Sequence, residues 1–250
     1  MRIAVAGGTG VVGRYAVEAA QDAGHDVVVL ARSRGVDVLT GAGLDAALDA
    51  ADAVIDATNS GTTLSAKKAT AFFEAATRNL LEAERRVGVG HHVALSIVGI
   101  DGIDASYYAG KLAQERAVAA GAVPFTIARA GQFHEFAGQV LSGMKGPFAL
   151  VPKLLMRPVA AREVGTHLVR VAEGGPVERA RDLVGPRDEV LVDVARRQLA
   201  VEGRRRGVLE VRLPGTYGRG LASGVLRGDA GALQGRITFE EWLRSPDRRH

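Results

Sequence analysis

The chain has 250 residues, of which 47% are hydrophobic and 24% are charged, as expected for a globular protein with one sizeable core. It contains no cysteine, which excludes disulfides, thiol nucleophiles and cysteine-ligated metals. No apolar run approaches the ~18 residues of a membrane span and no signal peptide is visible, so we expect a cytoplasmic protein without a membrane partner.

The net charge of +4 does not by itself predict nucleic-acid binding. The 32 basic residues are mostly arginines spread along the chain, and 28 acidic residues accompany them. Two dense clusters, at 204–206 and 248–250, lack the interleaved aromatic residues of a surface on which bases stack. We therefore expect no nucleic-acid partner.

Strands and helices alternate through the first half of the sequence. The predicted strands are 2–6, 25–33, 52–59, 91–99 and 124–131, and the predicted helices are 11–23, 44–50, 64–88 and 107–121. The strands are continuous apolar runs, which is typical of strands covered on both faces. This order predicts an α/β fold, a doubly wound parallel sheet of the Rossmann type, over residues 1–135.

The second half, residues 136–250, follows a looser pattern. We expect helices at 162–173 and 189–203, a strand at 207–215, and a proline-containing loop with short elements at 143–160. No low-complexity linker separates the halves. We predict a smaller C-terminal portion that packs on the same body as a cap.

Three glycines between the first strand and the first helix predict a dinucleotide site. Gly7, Gly10 and Gly13 form G-x-x-G-x-x-G, a weak pattern alone in a chain with 32 glycines. Its position gives it weight, because backbone N–H groups and the helix dipole can hold a pyrophosphate there. A flexible turn without a ligand is the alternative.

The end of the second strand favours NADP(H) over NAD. An acidic residue there would accept hydrogen bonds from the ribose 2′-OH, but the chain has Arg32 and Ser33 instead. A guanidinium can bind a 2′-phosphate with two hydrogen bonds, and the serine hydroxyl adds a donor. The alternative is an ordinary solvated arginine in an arginine-rich chain.

The stretch YYAGK predicts a proton donor beside a cation. Tyr107 and Lys111 are four residues apart and share one face of a helix, although Tyr108 is also near the lysine. A phenol is a poor acid–base group at neutral pH unless a cation stabilises its phenolate, which Lys111 can do. Ser96, near the end of the preceding strand, is a candidate to hold the substrate oxygen. An amphipathic helix with a surface lysine is the alternative.

Several residues are candidates for the substrate side. Phe133 and His134 follow the fifth strand, and Tyr108 adjoins the predicted proton donor. A histidine in an apolar stretch is more often packed and hydrogen-bonded than functional. No histidine has partners at metal-ligand spacing, so we expect no metal site.

Six stretches of the sequence occur in the order AVAGGTGVVG, VVVLARS, DAVIDATN, NLLEAERRVGVGHHVALSIVG, YYAGKLAQE and PFTIARAGQFHEF. Together they resemble the short-chain dehydrogenase/reductases, specifically the atypical NmrA-like NAD(P)H-binding branch. The resemblance covers nearly the whole chain. The resemblance implies a Rossmann fold that binds NADP(H), with the substrate covered by the C-terminal portion. It also implies that Ser96, Tyr107 and Lys111 form the reductase triad. The cofactor-binding residues that it implies are Gly7, Thr9, Gly10, Val12, Gly13, Arg32, Ser33, Thr58, Asn59, Lys111, Ala130 and Gly131.

These observations predict an NADPH-dependent oxidoreductase that transfers a hydride to a small carbonyl or quinone-like substrate, as a monomer or homodimer. The resemblance also leaves open a non-catalytic NADP(H) sensor that signals through a protein partner. A nucleotide-sugar epimerase or dehydratase is less expected, because such relatives usually carry a longer C-terminal lobe.

Overall fold

A computed structural model describes residues 1–61 and 65–249 and divides them into two compact units. Unit 1 consists of the described residues of Met1–Ser96, Ala105–Arg129 and Arg162–Arg181. Unit 2 consists of those of Ile97–Asp104, Ala130–Ala161 and Asp182–His250. The predicted start of the long helix at residue 64 and the last residue of the 248–250 cluster lie outside the described residues.

The expected single boundary after residue 135 is not the division that the packing produces. The helix at Ala161–Glu173 lies almost wholly in unit 1, although it follows residue 135 in the chain. Gly165 explains this, because a Cβ there would lie 2.6 Å from the backbone nitrogen of Ala16. The absence of a side chain at Gly165 allows this helix to pack directly on the first helix of unit 1.

The secondary structure follows the predicted order, with most predicted elements shorter at their ends. The strands are β1 (Arg2–Ala6), β2 (Asp26–Leu30), β3 (Ala53–Asp56), β4 (His91–Ile97), β5 (Phe125–Ala130), β6 (Phe148–Pro152), β7 (Leu155–Met156), β8 (Glu178–Arg179), β9 (Leu183–Val184), β10 (Glu189–Val190), β11 (Gly207–Val211) and β12 (Leu233–Gln234). The α-helices are α1 (Gly13–Asp22), α2 (Leu44–Leu48), α3 (Ala66–Val87), α4 (Ser106–Ala119), α5 (Phe136–Ser142), α6 (Ala161–Glu173), α7 (Leu191–Val201), α8 (Gly215–Ser223) and α9 (Phe239–Arg244).

Unit 1 is built on a sheet in which β5, β4, β3, β1 and β2 are neighbours in that order. β1 pairs in parallel with both β2 and β3, and β3 pairs in parallel with β4. The chain therefore leaves β1 in one direction to reach β2 and returns past it to reach β3. In such sheets ligands bind at the carboxyl ends of the strands beside this reversal, where the loops after β1 and β3 diverge.

Helices α3 and α4 pack closely in unit 1. A Cβ at Gly110 of α4 would lie 2.7 Å from Cβ of Ala69 and 2.8 Å from the ring of Phe73, both on α3. Phe73 is fully buried. This close approach sets the surroundings of the α4 side chains on the same face.

Unit 2 contains shorter strands and helices. β6 and β11 pair in parallel, β7 and β10 pair antiparallel, and β9 and β12 pair in parallel. The predicted loop at 143–160 therefore contains two short strands. Among the described residues, no helix has both the length and the apolar character needed to cross a membrane.

Candidate active site

The glycine loop after β1 packs tightly against the chain after β3. Gly7 has a φ of +74°, in the left-handed region that residues with a Cβ rarely adopt. A Cβ at Gly7 would lie 2.6 Å from the carbonyl oxygen of Ala57, and one at Gly13 would lie 2.1 Å from that of Gly7. Larger residues at these two positions would displace the backbone, so the glycine spacing is a requirement of this packing.

The helix that follows the loop presents an uncompensated positive end. α1 begins after Val12, whose side chain makes no capping hydrogen bond, and its first turn contains no acidic residue. N–H groups and the helix dipole at such an end attract anions. Val12 is buried, so any contribution that it makes to binding comes from its backbone.

A pocket of about 420 Å³ lies beside the glycine loop and entirely within unit 1. Six predicted cofactor residues line it: Gly7, Thr9, Gly10, Arg32, Thr58 and Asn59. The other described lining residues are Leu30, Ala31, Val36, Asp37, Val38, Leu39, Ala57, Ser60, Gly61 and Phe72. Ser33, predicted to assist Arg32, is not among the lining residues. The structure therefore brings together the glycine loop, the end of β2 and the loop after β3, as the sequence predicts.

Arg32 borders this pocket with its side chain exposed. It begins a short 3-10 turn, Arg32–Arg34, that ends at Gly35 with a φ of +77°. Within the part of the chain that the structure describes, its guanidinium makes no hydrogen bond or ion pair. The group is free to bind an anion, and no acidic residue occupies the end of β2.

The pocket also contains residues that sequence reasoning missed. The segment 36–39 lines it, and the amide of Asn79 on α3 donates to the carbonyl oxygens of Val38 and Leu39 over 2.9 and 2.8 Å. Phe72 of α3 is half-buried and also lines the pocket. No sequence motif marks these residues, because they reach the pocket only through the packing of α3.

Tyr107 and Lys111 come together around Phe73, one turn apart on α4. The rings of Tyr107 and Phe73 pack edge to face with centroids 5.6 Å apart. The ammonium of Lys111 lies 4.6 Å from the centroid of the same Phe73 ring. The ring of Tyr108 lies 6.4 Å from that of Tyr107. The predicted shared face of the helix is confirmed, although both groups face a buried aromatic ring.

The ammonium of Lys111 is buried and hydrogen-bonded within unit 1. Its Nζ donates to Oε1 of Gln114, whose Nε2 donates to Asp56 Oδ2 over 2.7 Å. Asp56 also accepts the N–H of Thr58 over 2.9 Å. Burial lowers the pKa of Lys111 to about 8, and the charge of Asp56 only partly opposes this effect.

The expected lowering of the tyrosine pKa by Lys111 is not found. Burial, and then the negative charge of Asp56, raise the pKa of Tyr107 well above its ordinary value. The charge of Lys111 is compensated by the Gln114–Asp56 chain, so it does not stabilise a phenolate. In this arrangement Tyr107 is a protonated phenol at neutral pH.

Besides Thr77 Oγ1 on α3, two buried hydroxyls in unit 1 have no hydrogen-bond partner among the described residues. One is Ser96 Oγ, near the end of β4, and the other is Thr58 Oγ1, beside the pocket. An unpaired buried hydroxyl is costly, so such groups commonly bond a ligand or an ordered water. Both positions match predicted contacts, Ser96 with substrate and Thr58 with cofactor.

The remaining predicted residues, Ala130, Gly131, Phe133 and His134, belong to unit 2. His134 is buried against the stacked rings of Phe239 and Trp242, and its Nε2 lies 3.0 Å from the carbonyl oxygen of Ile237. Burial lowers its pKa to about 4. These are the surroundings of a packed, neutral histidine, so its substrate role stays a prediction without structural support. No group of three metal-ligating side chains occurs among the described residues.

The N-terminal part of the chain matches a known family. Residues 3–106 match the model of the NAD dependent epimerase/dehydratase family, which is less than half of the chain. No curated protein matches the sequence. The matched segment contains the glycine loop and the residues that line the pocket of unit 1. The match does not distinguish the NmrA-like branch, which stays a prediction.

Solved structures resemble nearly the whole chain. The NADPH-dependent quinone oxidoreductase QOR2 from Escherichia coli, solved with NADPH, matches with a TM-score of 0.71 and 18% identity, over 97% of this chain and 98% of that one. A UDP-N-acetylglucosamine 4-epimerase from Bacillus cereus matches with a TM-score of 0.69 and 18% identity, over 97% and 98%. A nucleoside-diphosphate-sugar epimerase from Staphylococcus aureus matches with a TM-score of 0.72 and 13% identity, over 98% and 100%.

These likenesses establish the fold, an α/β protein with a parallel central sheet of the Rossmann type. They also correct one argument made from the sequence. Epimerases were less expected because of a longer C-terminal lobe, but the Staphylococcus aureus protein is covered over its entire length. Chain length therefore does not separate reductases from epimerases here.

Proposed function

We propose that the chain is an NADPH-dependent oxidoreductase that reduces a small carbonyl or quinone-like compound. The observation that carries the proposal is the pocket of unit 1, where the glycine loop that precedes α1 and Arg32, whose guanidinium has no polar partner among the described residues, border one cavity. The likeness to a quinone oxidoreductase solved with NADPH supports it.

The residues present fit NADP(H) in particular. Gly7 and Gly10 line the pocket and have no side chain that could separate their backbone from a pyrophosphate, and Thr58 has a buried hydroxyl without a partner among the described residues. Arg32 supplies a charged donor where an NAD-binding protein would need an acidic residue. A guanidinium contacting a 2′-phosphate forms charge-assisted hydrogen bonds, which are stronger than neutral ones.

Ser96, Tyr107 and Lys111 would each have a separate role in the reduction. The bound cofactor supplies the hydride. Ser96 Oγ, which lacks a partner among the described residues, would bond the substrate oxygen. Tyr107, which burial keeps protonated at neutral pH, would donate a proton to that oxygen as charge develops on it. Lys111 would stay close to the tyrosine ring through their shared contact with Phe73.

A second candidate is a non-catalytic NADP(H) sensor, and the state of Tyr107 favours it. A phenol whose pKa is raised is a weaker acid than one beside a free cation, and the ammonium of Lys111 is bonded to Gln114. A protein of this kind would bind NADPH without turning it over and would transmit the binding to a protein partner.

Titration with NADPH and NADH, followed by cofactor fluorescence, tests the cofactor assignment. We expect NADPH to bind at least about tenfold more tightly, and Arg32→Ala to weaken NADPH by about 10- to 100-fold while leaving NADH unchanged. Arg34→Ala is the matched control, since Arg34 belongs to the same turn but does not line the pocket. Equal losses for both cofactors in Arg32→Ala would contradict the 2′-phosphate contact.

Turnover separates the two candidates. The protein is mixed with NADPH and each member of a panel of carbonyls and quinones, and the oxidation of NADPH is followed by absorbance. Oxidation that depends on one class of substrate supports the oxidoreductase. Tight binding without oxidation across the panel, together with a partner recovered only in the presence of NADPH, supports the sensor.

A further inference from the structure

Two buried side chains connect the predicted catalytic lysine to the loop that lines the pocket. We infer that Gln114 and Asp56 are positioning residues, which hold the ammonium of Lys111 in place and tie it to the backbone at Thr58. The inference rests on the proposed function, in which Lys111 serves the reaction and Thr58 contacts the cofactor.

The connection consists of three hydrogen bonds in sequence. Lys111 Nζ donates to Gln114 Oε1, and Gln114 Nε2 donates to Asp56 Oδ2 over 2.7 Å. The other oxygen of Asp56 accepts the backbone N–H of Thr58 over 2.9 Å. Gln114 and Asp56 are both fully buried, so water does not compete for these bonds.

A glutamine suits the position between these two charges. Its amide has a donor end, which faces the carboxylate of Asp56, and an acceptor end, which faces the ammonium of Lys111. The opposite orientation would place like partners together at both ends. The neighbours therefore fix the amide orientation, and the amide transmits the position of the carboxylate to the ammonium.

Asp56 is the main compensating charge for Lys111. The other nearby carboxylate, Glu115 on the same helix, is bonded through both oxygens to Arg129 of β5. From α3, the ring of Phe73 contacts the ammonium and carries no charge. A buried ammonium without a compensating charge would lose its proton or move, so the Gln114–Asp56 chain keeps Lys111 charged and localised.

The same carboxylate shapes the pocket. Thr58 follows β3 and lines the cavity, and its N–H bond to Asp56 fixes the direction of the loop 57–61. Asp56 is thus bonded both to the backbone of Thr58, which lines the pocket, and to Gln114, which holds Lys111. Loss of this chain is expected to disturb cofactor binding and lysine protonation together.

The test measures unfolding free energy against pH, which requires neither cofactor nor turnover. The variants are Gln114→Met, Asp56→Asn and the double variant, each compared with the same protein carrying Lys111→Met. The difference between each such pair isolates the titration of Lys111. In the natural chain, the rise of unfolding free energy that accompanies loss of the Lys111 proton should begin near pH 8. We expect this onset to move about one pH unit lower in Gln114→Met, because a hydrogen bond to the charged form of the lysine is lost.

Two comparisons make the result specific. Asp56→Asn should move the onset in the same direction, and the double variant should move it no further than the larger single effect, because both residues act through one chain. Gln198→Met is the matched control, since Gln198 is a buried glutamine of α7 that donates to Glu202. It should leave the onset unchanged.

The same variants are then titrated with NADPH across the same pH range. We expect the pH above which NADPH affinity falls to decrease together with the pH at which the Lys111-dependent rise in unfolding free energy begins. An unchanged onset in Gln114→Met overturns the inference, as does additivity in the double variant. If Asp56→Asn does not fold, Gln114→Met alone decides. A shifted onset in a protein that binds no NADPH would refute the proposed function and retain the Lys111–Gln114–Asp56 connection.

Discussion

Burial of Lys111 should make the unfolding free energy of this protein rise between roughly pH 7 and 9.5. The pKa of Lys111 is lowered by burial from an ordinary 10.5 to about 8. The unfolded chain therefore holds the lysine proton over a range in which the native state has released it. Stability increases with pH wherever the unfolded state binds more protons, so the cost of charging Lys111 is fully present below pH 8 and fades towards 10.5.

The magnitude follows from the size of the shift. Each unit corresponds to about 1.4 kcal/mol, so the full cost is about 3 kcal/mol at neutral pH. About 2 kcal/mol of this should be recovered between roughly pH 7 and 9.5. The upper limit is set by Tyr107, whose raised pKa produces the opposite slope above its ordinary pKa of 10.0.

Lys111→Met removes the titrating group and retains an unbranched side chain against Phe73. Urea unfolding at a series of pH values gives the unfolding free energy of both proteins, and the difference between the two curves removes contributions from other groups. We expect the natural chain to gain about 2 kcal/mol relative to Lys111→Met over this range. Parallel curves would show that Lys111 is neither buried nor charged in the way described, and would refute the argument.

Two further predictions concern the loop and the tyrosines. Gly13→Ala should abolish NADPH binding and lower stability, because its Cβ would lie 2.1 Å from the carbonyl oxygen of Gly7, and calorimetry of NADPH titrations together with thermal unfolding checks both effects. Tyr107→Phe should abolish NADPH oxidation while leaving NADPH affinity intact, whereas Tyr108→Phe should retain oxidation. A larger loss in the Tyr108 variant would reverse the assignment of the proton donor.

The sequence predicted unit 1 well because its signals are local. Continuous apolar runs identified strands covered on both faces, and their alternation with helices implied parallel pairing. The glycine spacing after β1 required a close backbone approach, which the positive φ of Gly7 and the short distances at Gly13 explain. Arg32 was identifiable because it follows β2 directly.

The remaining site residues had no comparable local signal. Asp37, Phe72 and Asn79 reach the pocket or support it only because α3 packs beside the segment 36–39. The sequence also could not predict the protonation and position of the Lys111 ammonium. Both depend on Asp56, which is distant in the chain and is connected to the lysine through Gln114. Helical spacing correctly predicted that Tyr107 and Lys111 share one face of α4, but the predicted lowering of the Tyr107 pKa is wrong.

The sequence by itself therefore determined the order of elements in the first half of the chain, the glycine loop and the candidate groups for chemistry, because these depend on residues adjacent in the chain. Tertiary structure decided which of those groups are charged, free or bonded, because burial and distant partners set their energies. Arg32 has no polar partner in the part of the chain that the structure describes, His134 packs against two stacked aromatic rings, and Lys111 is bonded within the core. Electrostatics in a protein interior depend on what the fold places nearby, and the spacing of residues along the chain does not contain that information.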